Sequence, residues 1–152
     1  MRTKYLLLYI NLSLLALTSS AMQKPDDSTQ ELYKAIESGD IGTAVRSIVN
    51  GNHTQESLSQ HLAIAVSCNQ HVIAALLIKG GAKATDKQFC SEPLLHRAID
   101  NCNPLLVRLL LNAGASITEQ NTRGQTPLDC AYKKNRYFPS QETREILRLL
   151  SQ

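Results

Sequence analysis

Residues Gly114 to Ala131 read GASITEQNTRGQTPLDCA, and this stretch decides the fold. Gly114-Ala115 reads as a helix exit, because a glycine just past an apolar run accepts the positive φ at which helices commonly end. A polar turn follows, closing at Gly124. Thr126-Pro127-Leu128 then opens a new helix: Thr126 can accept a hydrogen bond from a first-turn amide, and proline suits the first helical position. Exit, turn and entry in eighteen residues describe a boundary between two helical units.

The boundary recurs. Gly81-Ala82 returns as Gly114-Ala115, Leu62 and Ala65 return as Leu95 and Ala98, and those as Leu128 and Ala131, each 33 residues further on. A fixed period of this size marks a solenoid of stacked units. Four units can be read, at about 30–57, 60–92, 93–125 and 126–152. In the third, Leu94, Leu95, Ala98 and Ile99 form one apolar face, and Leu106, Val107, Leu110 and Leu111 form another. The second repeats this with Leu62, Ala65 and Val66, then Ile73, Ala74, Leu77 and Ile78. Helices this short are not stable alone in water, so the pairs must stack to bury a shared core. Ala65 and Ala98 permit the close approach this needs. Ser28 and Glu31 have the spacing of a capping box that opens the first helix.

This grammar and this period resemble those of the ankyrin repeat. The resemblance covers nearly all of the chain after residue 30, and AIESGDIGTAVRSIVNG (Ala35 to Gly51) has the family's helix-turn-helix form. It implies an all-α ankyrin-repeat solenoid of about four units with short β-turn fingers. Departures are local. Asp129 stands where the family has histidine, His96 occupies that slot in the third unit, and Pro93 comes one place early. Gln60-His61-Leu62-Ala63 lacks the proline. The first finger, between Gly51 and Leu58, is short, and the fourth unit carries RYFPSQ (Arg136 to Gln141), where Pro139 must break the helix. These fit end units that close the core, with Tyr137 and Phe138 expected to cover its C-terminal end.

The N-terminus reads differently. Arg2 and Lys4 precede an apolar run from Tyr5 to Leu17, and Thr18-Ser19-Ser20-Ala21 supplies small residues for cleavage after Ala21. This is the grammar of a secretory signal peptide over 1–21, followed by a polar lead-in over 22–29. The run is shorter than the roughly 20 residues of a membrane span and is interrupted by Asn11 and Ser13. An uncleaved anchor is the alternative. The expected location is exported, periplasmic or secreted. Without Arg2 and Lys4, 14 basic residues face 13 acidic ones, so there is no electrostatic case for a nucleic-acid partner.

Four cysteines in an exported chain raise the question of disulfides. Cys130 falls at a position that packs against the neighbouring unit, and Cys90 lies in a finger. Cys68 and Cys102, near the ends of adjacent helices, are the one plausible pair. Neighbouring helices stand about 8–10 Å apart, whereas a bridge needs Cα atoms within about 7 Å. Cys68-x-x-His71 lacks the second pair of a zinc site. No nucleophile elbow, phosphate loop or metalloprotease helix is present, and no metal, cofactor or enzymatic activity is expected.

The resemblance implies a monomeric protein-binding module whose partner lies on the finger tips and on the concave side of the inner helices. By position these offer Phe89 and Glu92 in the second finger, and Thr122, Arg123 and Gln125 in the third. The inner helices add Asp100, Asn101, Lys133 and Lys134. Phe89 and Arg123 are the foremost contacts, since aromatics and arginines are enriched at binding hot spots. An adaptor is the first expectation. An inhibitor or immunity-type protein, or a host-directed effector, would use the same surface.

Overall fold

Helices follow one another in pairs through the residues that the computed structural model describes, 27–85 and 92–151. The signal-peptide segment, Phe89 and Cys90 lie outside them. The pairs are α1 (Asp27–Ser38) with α2 (Ile41–Asn50), α3 (Gln55–Ser67) with α4 (His71–Lys79), α5 (Leu94–Asp100) with α6 (Pro104–Asn112), and α7 (Pro127–Tyr137) with α8 (Gln141–Leu150). Each pair packs within itself and on the next. First helices stack in the row α1, α3, α5, α7, and second helices in the row α2, α4, α6, α8. Among the described residues there is no strand. The result is an all-α solenoid two layers deep.

The core runs between the layers. Leu32, Ile36, Leu62, Ile73, Leu77, Leu95, Ile99, Leu106, Leu110 and Ile146 are fully or almost fully buried, with Ala65 and Ala98 at the contacts between first helices. Most of the two apolar faces expected in the second and third units are buried; Ile78 and Leu111 sit half-buried at their edges. No helix among the described residues is long and apolar enough to cross a membrane.

Side chains satisfy the helix ends, where backbone amides have no partner within the helix. Asp40 accepts from the Thr43 amide at 3.1 Å, Thr54 from the Ser57 amide at 3.1 Å, and Asn103 from the Leu105 and Leu106 amides at 3.0 and 3.2 Å. Asp129 has a definite task in place of the family's histidine. It completes a capping box with Thr126, accepting from the Thr126 amide at 2.9 Å while Thr126 accepts from its own at 3.2 Å. Two expectations are corrected here. α1 is already under way at Asp27, so Ser28 lies inside its first turn rather than ahead of it. And α3 opens at Gln55, ahead of Gln60, because Thr54 provides a cap there that the 33-residue period does not register.

The turns within units share a left-handed position. It is Gly39 in the first (φ 73°), Asn69 in the second (φ 61°) and Cys102 in the third (φ 53°). Gly81 and Gly114, read as helix exits, have φ of 106° and 86°. Cys102 is the strained member, since a side chain there meets the following carbonyl at a cost of about 1–2 kcal/mol. It stands apart from Cys68, and both are free thiols.

Buried histidines tie units together. His96 in α5 donates through Nε2 to the Gln125 carbonyl at 2.9 Å, joining the third unit to the finger that enters the fourth. His61 in α3 faces the Ser57 carbonyl with Nδ1 at 2.7 Å and, with Nε2, the Thr29 carbonyl of α1 at 3.3 Å. His53 packs edge-on to His61, and its Nε2 meets the Ser47 carbonyl at 3.0 Å, closing the end of α2 over Gly51. A Cβ at Gly51 would stand 2.6 Å from the Ser47 carbonyl oxygen and press on that imidazole, so the short first finger requires glycine there.

Two predictions follow from the turns and the histidines. Cys102→Gly should raise stability by about 1 kcal/mol, read as a higher urea midpoint; an unchanged or lower midpoint would show the turn to be unstrained. The second concerns pH. Burial holds His61 below its ordinary value of 6.5, outweighing the two carbonyls that favour the cation. A folded-state value lower than the unfolded one means that the unfolded chain takes up the proton first. The associated stability is therefore full above about pH 6.5 and declines as pH falls toward the folded-state value. His61→Gln should flatten the change in urea midpoint between about pH 7.5 and 5.5, and equal slopes in the two proteins would contradict the assignment.

Candidate partner-binding surface

The finger between α6 and α7 is built around Asn121. Its side-chain oxygen accepts from the Arg123 and Gln125 amides, both at 3.0 Å. The Asn121 carbonyl accepts from Gly124 at 3.0 Å, and its amide donates to the Gln125 carbonyl at 2.9 Å. One buried side chain thus shapes the whole turn, while its Nδ2 reaches Glu92 at 3.4 Å and the Cys130 sulfur at 3.6 Å. Asn121 is absent from the surface expected from sequence, because it organises that surface rather than forming it. Its signal is an asparagine three residues ahead of a turn glycine.

Beside this finger, α7 presents Cys130, Lys133, Lys134 and Tyr137 at i, i+3, i+4 and i+7, which is one face of a helix. With Asp100 from the end of α5, Arg123 and Gln125 from the finger, and Phe138, they line an open cleft of about 190 Å³. That is smaller than the roughly 300–1,000 Å³ of a small-molecule pocket. It has room for a side chain or two. The Lys134 ammonium lies 3.7 Å from the Asp100 carboxylate and 5.7 Å from the centre of the Phe138 ring. Arg123 lies 3.7 Å from Glu92. Burial, and next the Asp100 charge, push the Cys130 thiol above its usual pKa, so it is neutral and a poor nucleophile.

The structure brings together Asp100, Arg123, Gln125, Lys133 and Lys134, with Glu92 adjoining through Arg123. Thr122 is exposed on the finger but does not line the cleft. Asn101 belongs to the stack: its Nδ2 donates to the Val66 carbonyl at 2.7 Å, beside Arg97, which donates to Ser67 at 2.8 Å. The role expected for Tyr137 and Phe138 is corrected. They are 65% and 66% exposed, and the C-terminal end is closed by Ile146 and Leu150 of α8 instead. Thr143 explains the outward rings. Its hydroxyl sits within 2.9 Å of Asn135 Oδ1 and 3.3 Å of the Phe138 carbonyl, pinning the break at Pro139 from inside. Among the described residues no three His, Cys, Asp or Glu side chains are grouped to hold a metal ion.

Paired helices stacked through capped turns, with an open face of fingers and first helices, define a repeat scaffold for holding other proteins. A family model of three consecutive ankyrin repeats matches residues 61–151, and the chain belongs to the ankyrin-repeat family. It is therefore a protein–protein interaction module. It is 30% identical over 116 residues to "Regulatory protein NPR5" of Arabidopsis thaliana, and 29% identical over 109 residues to "BTB/POZ domain and ankyrin repeat-containing protein NOOT2" of Medicago truncatula. The alignments cover 73% and 68% of this chain but 23% and 21% of those proteins. The chain thus spans less than a quarter of the relatives it matches.

Asn121→Ala leaves two amides of the finger without an acceptor and should cost about 2 kcal/mol. Urea denaturation measures it, and a loss below about 0.5 kcal/mol would mean that the finger holds its shape without Asn121.

Proposed function

We propose that the chain is an exported adaptor that binds a protein partner by docking on the finger-and-first-helix face at the boundary of the third and fourth units. The observation that carries this reading is the cleft, where five of the residues expected to make contact converge from three separate elements. A surface assembled from α5, a finger and α7 is held by the stack, so little ordering cost falls on binding. The reading of export rests on the N-terminal residues: two basic side chains, an apolar run from Tyr5 to Leu17, and small residues up to Ala21. A rigid adaptor that acts outside the cytoplasm is consistent with both.

The test is expression through the chain's own N-terminus in its native cell with a C-terminal tag, followed by mass spectrometry of the protein and of what co-purifies. The expected outcome is a chain beginning at Met22 with a stoichiometric partner that is lost from the Arg123→Ala, Lys133→Ala variant. An intact Met1 would remove the cleaved signal peptide. A partner retained by the variant would move the binding face elsewhere, and the absence of any partner would overturn the adaptor.

A further inference from the structure

The cleft has a charge arrangement that specifies its occupant. Three cations surround it, and two already face carboxylates of the chain itself: Lys134 with Asp100 and Arg123 with Glu92, both at 3.7 Å. A well-made charge-assisted hydrogen bond is nearer 2.7–2.9 Å, so both pairs are loose. Long pairs of this kind, each with one exposed partner, contribute little to stability. Among the described residues, no carboxylate pairs with Lys133. Next to these cations stand two large apolar rings, Tyr137 and Phe138, each about two-thirds exposed. The neutral Cys130 thiol lies at the side of the same helix face.

We propose that this cleft takes an extended acidic peptide segment in which one aromatic or aliphatic residue is flanked by Asp or Glu. This rests on the reading of the chain as a protein-binding module and names the chemistry of its partner. The apolar side chain packs on Tyr137 and Phe138, in a space that suits one or two side chains. One flanking carboxylate reaches Lys133. A second replaces Asp100 on Lys134, because a peptide free to adjust can approach more closely than Asp100 does from the end of α5. Asp100 and Glu92 thus act as weak internal stand-ins for the ligand. The empty cleft keeps an excess positive charge at Lys133, and its loosely held pairs can exchange partners when it is filled.

The test uses the purified protein, as its own cell processes it, and a phage-displayed library of random dodecapeptides. Enriched sequences should carry Asp or Glu around an aromatic or aliphatic residue. Fluorescence polarisation with the best synthetic peptide should show affinity falling at least tenfold in the Lys133→Ala, Lys134→Ala variant and several-fold between 50 and 300 mM NaCl. The Lys133→Arg, Lys134→Arg variant should retain binding, which separates lost charge from a lost fold. Asp100→Asn removes the competing carboxylate and should tighten binding about threefold. Enrichment of neutral or basic peptides, enrichment of none, or an acidic peptide bound equally by the alanine variant would overturn the proposal. If a cellular partner is captured yet its binding ignores salt and both lysines, the adaptor stands and the acidic-peptide assignment falls.

Discussion

A single buried hydrogen bond, from His96 Nε2 to the Gln125 carbonyl at 2.9 Å, sets the relation on which the binding face depends. His96 is 1% exposed, so the bond forms without competition from water. It ends at the last residue of the finger, immediately before Thr126 caps α7. The same carbonyl accepts from the Asn121 amide, so one oxygen links α5, the turn and the helix entry. Finger and α7 are thereby fixed together against the third unit. Without that tie, the finger that carries Arg123 would lose its anchor on α5, while α7 would keep its own packing against α5.

The other cross-unit bonds have the same character. Asn101 reaches the Val66 carbonyl, Arg97 reaches Ser67, and Asn103 donates to Asn69. Each lets a polar group near a helix end find a partner in the neighbouring unit. Apolar burial drives the stacking but is indifferent to small slides of one pair over the next; these directional bonds fix the register. In a solenoid, stability comes from each unit and its contacts with its neighbours. A binding face that crosses a unit boundary therefore inherits its precision from those contacts.

Charge is distributed in keeping with that division. Apart from Arg97, the groups that hold the stack are neutral or caps, while the charged groups of the cleft, Asp100, Arg123, Lys133 and Lys134, are held by pairs of 3.7 Å or, for Lys133, by no carboxylate among the described residues. Loose pairs leave cations ready for a partner at little cost to the fold. The surface can vary while the scaffold is kept.

How much was legible beforehand follows from the range of each interaction. Thr126 as a cap, the positive φ of Gly81 and Gly114, the break at Pro139 and the burial of Leu62, Leu95 and Leu106 all depend on local geometry or helical spacing, and all could be read from the residues. The 33-residue period supplied the stacking order, because identical faces can be buried only against one another. Other features were out of reach. Tyr137 and Phe138 looked like a cap for the core, yet Ile146 and Leu150 close that end and Thr143 turns the linker outward. Asn101 looked available on an inner helix but is spent on Val66, a residue 35 positions away. By itself, the sequence determined the helix pairs, the cap at Thr126 and the order of stacking. Only the tertiary structure decided which polar groups are consumed in joining units and which remain for a partner, because that choice is made by carbonyls and side chains distant along the chain.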